Sequence, residues 1–291
     1  MKILNFGSLN IDHVYAVDHF VRPGETMAST GYALFPGGKG ANQSIALGRA
    51  GAAVYHAGKI GEDGAWFIKL LRTSGVNARH VEVVDGPSGH AIIQVAKTGE
   101  NAIVLFGGAN QHITRADIRR VLPGFSARDY LLVQNETSAV ADAIALGARR
   151  GLYVVFNPAP MNKNVLSLPL RHVSCFIVNE IEGAELTGEK KPDHILDALG
   201  KKFPKAETVL TLGAKGAMYG HEKTRIAVAA PNVKAIDTTA AGDTFIGYFL
   251  AQKMAGKDTR TCLEIACAAA AVCVTRKGAA ASIPWNREIR P

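Results

Sequence analysis

The chain has 291 residues, 47% of them hydrophobic, which is enough for one large core or two modest ones. Its 33 Lys and Arg against 25 Asp and Glu leave a net charge of +8, but the basic residues stand in short pairs such as Arg119-Arg120 and Lys201-Lys202. Without a basic stripe interleaved with aromatics, this charge points away from nucleic acid and toward anionic small molecules such as nucleotides.

At the amino end the chain runs straight into a strand, Lys2-Ile3-Leu4-Asn5-Phe6-Gly7, with no apolar signal segment. The longest apolar run, near 265–274, is too short for a bilayer, so a cytoplasmic location without membrane contact is expected. Asn10-Ile11-Asp12 follows, and strand alternation puts Asn10 and Asp12 on one face. They read either as a solvated strand terminus or as a pair that binds two hydroxyls. No helical pattern occurs over 11–35, where His13-Val14-Tyr15-Ala16-Val17 alternates like a half-exposed strand. Gly37-Gly38-Lys39-Gly40-Ala41-Asn42-Gln43 then leads into a helix expected at 44–50. This run is neither a P-loop nor a dinucleotide fingerprint. It reads as a plain glycine turn, or as one in which Lys39 and Asn42 offer donors to a polyhydroxyl ligand.

From His90 to Phe106 the pattern is strand, Lys97-Thr98-Gly99-Glu100-Asn101 turn, strand, a hairpin signature. With the 11–35 stretch it predicts antiparallel strands outside the main sheet, which would make a natural lid. Beyond them, short apolar runs alternate with helical patterns: Leu131-Leu132-Val133, Tyr153-Val154-Val155-Phe156, Cys175-Phe176-Ile177-Val178 and Thr208-Val209-Leu210-Thr211. Such a rhythm predicts an α/β fold, a doubly wound, mostly parallel sheet flanked by helices. Polar and Gly residues sit just past the carboxyl ends of these strands, where open α/β sheets bind ligands.

Asn179-Glu180-Ile181-Glu182 lies at one such end. It suits a helix cap, and equally a hydrated Mg²⁺ with its phosphates. The segment Asp237-Thr238-Thr239-Ala240-Ala241-Gly242-Asp243-Thr244-Phe245 is the most informative. Its small residues bring bare N–H groups to a helix start, which suits phosphate, and a carboxylate follows at once. Asp243 is either a first-turn acid that complements the dipole or a base that accepts a proton from a hydroxyl nucleophile. The cysteines, Cys175, Cys262, Cys267 and Cys273, form no Cys-x-x-Cys pair, and the histidines form no His-Glu-x-x-His pattern, so zinc and a disulfide framework are not expected.

Taken in order, Asn10/Asp12, the Gly37–Gln43 run, Asn179-x-x-Glu182 and Asp237 to Asp243 resemble the ribokinase-like (PfkB) sugar kinases. The resemblance spans 1–291 as a single domain, with lid strands within about 11–35 and 90–106. Gly7-Ser8-Leu9-Asn10-Ile11-Asp12-His13, the Ala at 240 and the tail from Val274 to Trp285 are most similar to the ribokinase branch. It implies an ATP-dependent kinase that phosphorylates O5 of D-ribose. Asn10, Asp12, Gly38, Lys39, Asn42 and Glu136 would hold the sugar, with Asp243 as base. The N–H groups of Ala240, Ala241, Gly242 and Asp243 would form the anion hole. Asn179 and Glu182 would organise Mg²⁺ and phosphates, while Thr211, Gly213 and Gly216 line the nucleotide site. A K⁺ activator would be held by Asp237, backbone oxygens of Thr239, Cys273, Arg276 and Gly278, and the Ser282 hydroxyl. A homodimer through the lid is implied as well.

Two departures leave alternatives open. Gln134-Asn135-Glu136 differs from the commoner apolar residue before that Glu, which leaves room for another sugar such as fructose or deoxyribose, or a nucleoside. Cys267 stands where the branch often places an Asn near adenine. A sensor on the same scaffold, without turnover, is the rival from another class.

Overall fold

The computed structural model describes residues 1–289. The chain begins β1 (Ile3–Phe6), β2 (Asn10–Val17), β3 (Gly31–Gly37) and α1 (Lys39–Arg49), followed by β4 (Val54–Gly61), α2 (Phe67–Thr73) and β5 (Asn77–Val84). Next come the hairpin β6 (Gly89–Ala96) and β7 (Asn101–Phe106), then α3 (Arg115–Val121), β8 (Tyr130–Gln134), α4 (Val140–Arg149) and β9 (Tyr153–Asn157). The second half holds β10 (Cys175–Asn179), α5 (Glu180–Thr187), α6 (Pro192–Lys202), β11 (Glu207–Thr211), β12 (Ala217–His221) and β13 (Thr224–Val228). The helices α7 (Ala241–Met254) and α8 (Thr259–Val274) follow.

A nine-stranded sheet runs in the order β13-β12-β11-β10-β9-β8-β1-β4-β5, parallel throughout except at β12 and β13. Its central strands are buried on both faces, which explains why they read as unbroken apolar runs: every residue of β1 and β8 is buried. On β8, Tyr130 and Leu132 join the core under α1, α2, α7 and α8, while Leu131 and Val133 join the core under α3 to α6. The fold is therefore the doubly wound α/β architecture the alternation predicts. The edge strands β12 and β13 are an addition that the Gly213-to-Gly216 turn did not announce.

A second sheet, β3-β2-β6-β7, stands apart. β2 pairs antiparallel with β3 and parallel with β6, and β6 with β7 forms the expected hairpin. Its outer strands carry exposed apolar residues, including Leu34, Val104, Leu105 and Phe106.

The first helix differs from expectation, starting at Lys39 rather than near 44. Gly38 makes the turn at φ 91°, a conformation that side chains disfavour, and the helix then forms at once. Gly40 belongs inside it because a side chain there would collide with the backbone of Gly7 and Ser8. The glycine-rich run is thus half turn and half close packing, and it seats α1 directly on the end of β1. All four cysteines are buried and unpaired. Among the described residues, no helix is long and apolar enough to cross a membrane.

Candidate active site

Asp243 lies in the first turn of α7, buried at 8% exposure. The chain enters that helix through Ala240, which adopts the left-handed conformation at φ 61° and ψ 7°. Strained backbone of this kind concentrates at working sites, and here it aims the first N–H groups outward. Among the described residues the N–H groups of Ala240, Gly242 and Asp243 have no acceptor, whereas that of Ala241 bonds the Thr238 carbonyl at 3.2 Å. Three of these four donors are therefore free, on residues that line a polar cleft.

Each oxygen of the Asp243 carboxylate has a donor from α1. Asn42 Nδ2 donates to Oδ2 at 3.1 Å, and Gln43 Nε2 donates to Oδ1 at 2.9 Å. Lys39, on the first turn of the same helix, is held above the usual lysine range by Asp243 foremost and by Glu136 and Glu182 in addition, against the cost of its burial. One cation thus sits among three acids drawn from different elements.

Toward the lid, Glu136 follows β8 and accepts from the Ser8 hydroxyl at 2.5 Å and from the Lys39 N–H at 2.8 Å, both on Oε2. Burial pushes its carboxyl up. Asp12, on β2, is pushed up to about 7, by burial first and by the neighbouring charge of Glu136 second. Asn10 presents its carboxamide with Oδ1 fixed by Asn110 Nδ2 at 2.7 Å. Asn10, Asp12, Gly38, Lys39, Asn42 and Glu136 are therefore brought together next to Asp243, at the hinge between lid and main sheet. A cluster of acids, amides and one ammonium can bracket a polyol, since each hydroxyl both donates and accepts.

On the other side of Asp243 a polar cleft of about 250 Å³ is lined by Lys39, Asn179, Glu182, Thr238, Ala240 and Gly242, among others. Asn179 caps α5: its Oδ1 accepts from the Glu182 N–H at 2.8 Å, and Glu182 Oε2 accepts from the Asn179 N–H at 3.0 Å. The cap reading of this motif therefore holds. It does not compete with the ligand reading, because the cap turns the Glu182 carboxylate into the cleft, where burial raises it. Thr211, Thr238 and Gly242 lead on into an adjoining cleft of about 380 Å³. Gly213, Gly216, Pro231, Phe245, Cys267 and Val274 line it, a mostly apolar slot that suits a flat base, with Cys267 at its wall.

Next to the start of α7 the 237–239 and 273–282 segments meet. Asp237 accepts from the N–H of Thr239 and of Gly278, each at 2.9 Å. The Cys273 thiol lies 3.7 Å from the Thr239 carbonyl oxygen and 3.1 Å from Ser282 Oγ. Ser282 itself donates to the Ala279 carbonyl at 2.7 Å, and the Arg276 N–H donates to the Cys273 carbonyl at 3.0 Å. The residues named for a monovalent cation thus do converge in one loop pair.

Sequence reasoning gave no supporting role to Ser8, Gln43, Asn110, Gln134 and Asn157, which hold the site residues from behind. Their partners lie as far as 200 residues away in the chain, so spacing carried no sign of them. The one available signal was an Asn at the carboxyl end of β9, where ligand-side residues collect.

Comparison with known proteins agrees with this geometry. The family described as pfkB family carbohydrate kinase matches residues 1–286. The ribokinase of Haemophilus influenzae is 40% identical over 97% of this chain and 95% of its own. A solved Cryptococcus neoformans ribokinase in complex with ADP superposes with a TM-score of 0.86 at 35% identity, covering 99% of this chain and 98% of that one. The Arabidopsis thaliana ribokinase complexed with ribose and ATP gives a TM-score of 0.89 at 28% identity, covering 99% of this chain and 97% of that one. Since the family model spans nearly the whole chain and the Haemophilus influenzae ribokinase is 40% identical over 97% of it, the chain belongs to the pfkB family of carbohydrate kinases.

Proposed function

We propose that this kinase transfers the γ-phosphoryl group of ATP to O5 of D-ribose, giving ribose 5-phosphate and ADP. The observation that carries the reading is the placement of Asp243 between the Asn10–Asp12–Glu136 cluster and the polar cleft, its carboxylate held by Asn42 and Gln43 and its helix N-terminus open beside it. Identity to curated ribokinases supports the choice of sugar.

In this reading Asn10, Asp12, Gly38, Lys39, Asn42 and Glu136 orient the sugar so that its primary hydroxyl reaches Asp243. Asp243 takes the hydroxyl proton as the oxygen attacks the γ-phosphorus in line. Lys39 and the free N–H groups of Ala240, Gly242 and Asp243 neutralise charge that grows on the transferring group. The base of the nucleotide enters the apolar slot past Thr211, Gly213 and Gly216. The lid closes over the sugar and excludes water, which limits wasteful hydrolysis of ATP.

Two ions belong to this reading. The buried carboxylate of Glu182, backed by Asn179, suits a hydrated Mg²⁺, and such an ion supplies charge neutralisation on the phosphates. The carboxylate of Asp237, the Ser282 hydroxyl and the backbone oxygens of Thr239, Cys273, Arg276 and Gly278 form an all-oxygen set suited to K⁺, which would steady the anion hole. We infer a cytoplasmic location, where ATP is supplied. The exposed apolar face of the lid supports a homodimer formed through it.

A panel of pentoses, hexoses and nucleosides, run with and without K⁺ and read as ADP release, tests the assignment. D-Ribose should give the highest kcat/KM. If another acceptor wins by about tenfold or more, equivalent to about 1.4 kcal/mol, the sugar is reassigned. If no acceptor stimulates ADP release, the kinase reading falls.

A further inference from the structure

Gln43 is fully buried, and each polar atom of its carboxamide is engaged. Its Nε2 donates to Asp243 Oδ1 at 2.9 Å and to Asn157 Oδ1 at 3.1 Å, while its Oε1 accepts from Gln134 Nε2 at 2.6 Å. The orientation is dictated by chemistry. Flipped, the amide would turn its carbonyl oxygen toward a carboxylate and a second carbonyl, and its NH₂ toward another NH₂. The chain of bonds continues in both directions. Asn157 Nδ2 donates to the Ile177 carbonyl at 3.0 Å and reaches Glu182 Oε2 at 3.4 Å. Gln134 Nε2 also donates to Asn5 Oδ1 at 3.0 Å.

We propose that Gln43 is a positioning residue for phosphoryl transfer, fixing the Asp243 carboxylate and tying its orientation through Asn157 to Glu182 on the phosphate side. The inference rests on the kinase reading of Asp243 given above. Asn42 holds one oxygen of that carboxylate and also faces the sugar, so its hold depends on what is bound. Gln43 holds the other oxygen and faces only protein, so it keeps the carboxylate plane when the sugar cleft is empty. Two donors on separate oxygens define that plane, where a single donor would leave the carboxylate free to swing. A base must present a lone pair along the path of the leaving proton, and misplacement costs rate more than affinity.

The test uses Gln43→Met and Gln43→Glu, each alone and each combined with Asp243→Asn, assayed with ribose and ATP–Mg. Gln43→Met removes both donors at similar volume. It should lower kcat by about 10- to 100-fold, as for loss of a charge-assisted hydrogen bond, with KM for ribose and ATP little changed. Gln43→Glu, which puts a second acid against Asp243 in place of the donor, should lose at least as much. In the Asp243→Asn background neither change should reduce the residual rate further, because Gln43 acts through that carboxylate. ADP binding by calorimetry checks the fold, and if Gln43→Met fails it, Gln43→Glu decides. A folded Gln43 variant with wild-type kcat overturns the proposal, as does an equal loss with and without Asp243→Asn. Wild-type turnover by Asp243→Asn alone would instead overturn the kinase reading, whatever Gln43 does.

Discussion

Asn42 Nδ2 meets Asp243 Oδ2 at 3.1 Å, joining the first helix to the seventh across 201 residues of chain. Both helices carry small residues in their first turn, Gly40 and Ala41 in one and Ala241 and Gly242 in the other, and the contact joins the glycine-rich run to the start of α7. Asn42 thereby links the sugar side to the base. Replacing Asp243 by Asn keeps the shape and removes the base, leaving an amide whose oxygen can accept from only one of Asn42 and Gln43. Steady-state kinetics should then show kcat down by at least about a hundredfold with KM little changed, the size expected for loss of a general base. Unchanged turnover would show that another group takes the proton.

The parts of this site that the sequence made legible are those written in consecutive residues. Ala240 to Asp243 carries a helix start, a bare backbone and an acid in one stretch, and Asn179-x-x-Glu182 carries a cap at a strand end. The supporting layer is different. Ser8 beneath Glu136, Asn110 behind Asn10 and Gln43 between Asp243 and Asn157 meet their partners only when strands and helices distant in the chain pack together. The start of α1 was misjudged for a related reason. Glycines normally weaken a helix, and only the contact between Gly40 and Gly7 makes one necessary there. The sheet itself was easy to read, because strands buried on both faces have no polar positions to blur the pattern.

Asp12 gives a pH dependence with a definite sign. Its folded value, about 7, lies above the ordinary 3.8, because burial and the nearby Glu136 disfavour the charged form. Its contribution to stability is therefore fully present below about pH 3.8 and is lost as pH rises through about 7. Asp12→Asn removes that charge. In the sugar-free protein it should raise stability at pH 8 by about 2 kcal/mol, solvent at the open lid screening part of the full effect, and give no gain near pH 4. Urea unfolding of both proteins at the two pH values checks this. A constant difference between them across pH would remove Asp12 as the titrating group. The same variant should bind ribose less well, since the acid is in the sugar cluster.

Arg49 holds the loop behind the anion hole. It donates to the carbonyls of Ala280 at 2.8 Å and Ile283 at 2.5 Å, and its guanidinium lies 5.4 Å from the Trp285 ring centroid. Burial pushes its pKa down, so the interactions must offset a real desolvation cost. Arg49→Met fills the space but leaves two carbonyls without donors, which should cost about 2–4 kcal/mol in urea unfolding. Because Ser282 lies between those two carbonyls in sequence, the K⁺ concentration for half-maximal activity should rise in the same variant. Lost stability with an unaltered K⁺ response would separate this loop from the cation site.

The lid carries its apolar residues where a soluble monomer would not need them. Val104 is 69% exposed and Phe106 50%, two positions apart on β7 and so on one face, with Tyr32 and Leu34 aligned on the same side across β2 and β6. Their register puts them with His13 and Tyr15, opposite the face that carries Asn10 and Asp12. The sugar therefore cannot cover them. If a second copy does, Val104→Lys introduces like charges at the contact and should shift sedimentation from dimer to monomer at micromolar protein. The monomer should lose sugar affinity more than ATP affinity, because the lid would no longer be braced while it closes on the sugar. A species of unchanged mass with an unchanged KM for ribose would show that the partner docks elsewhere.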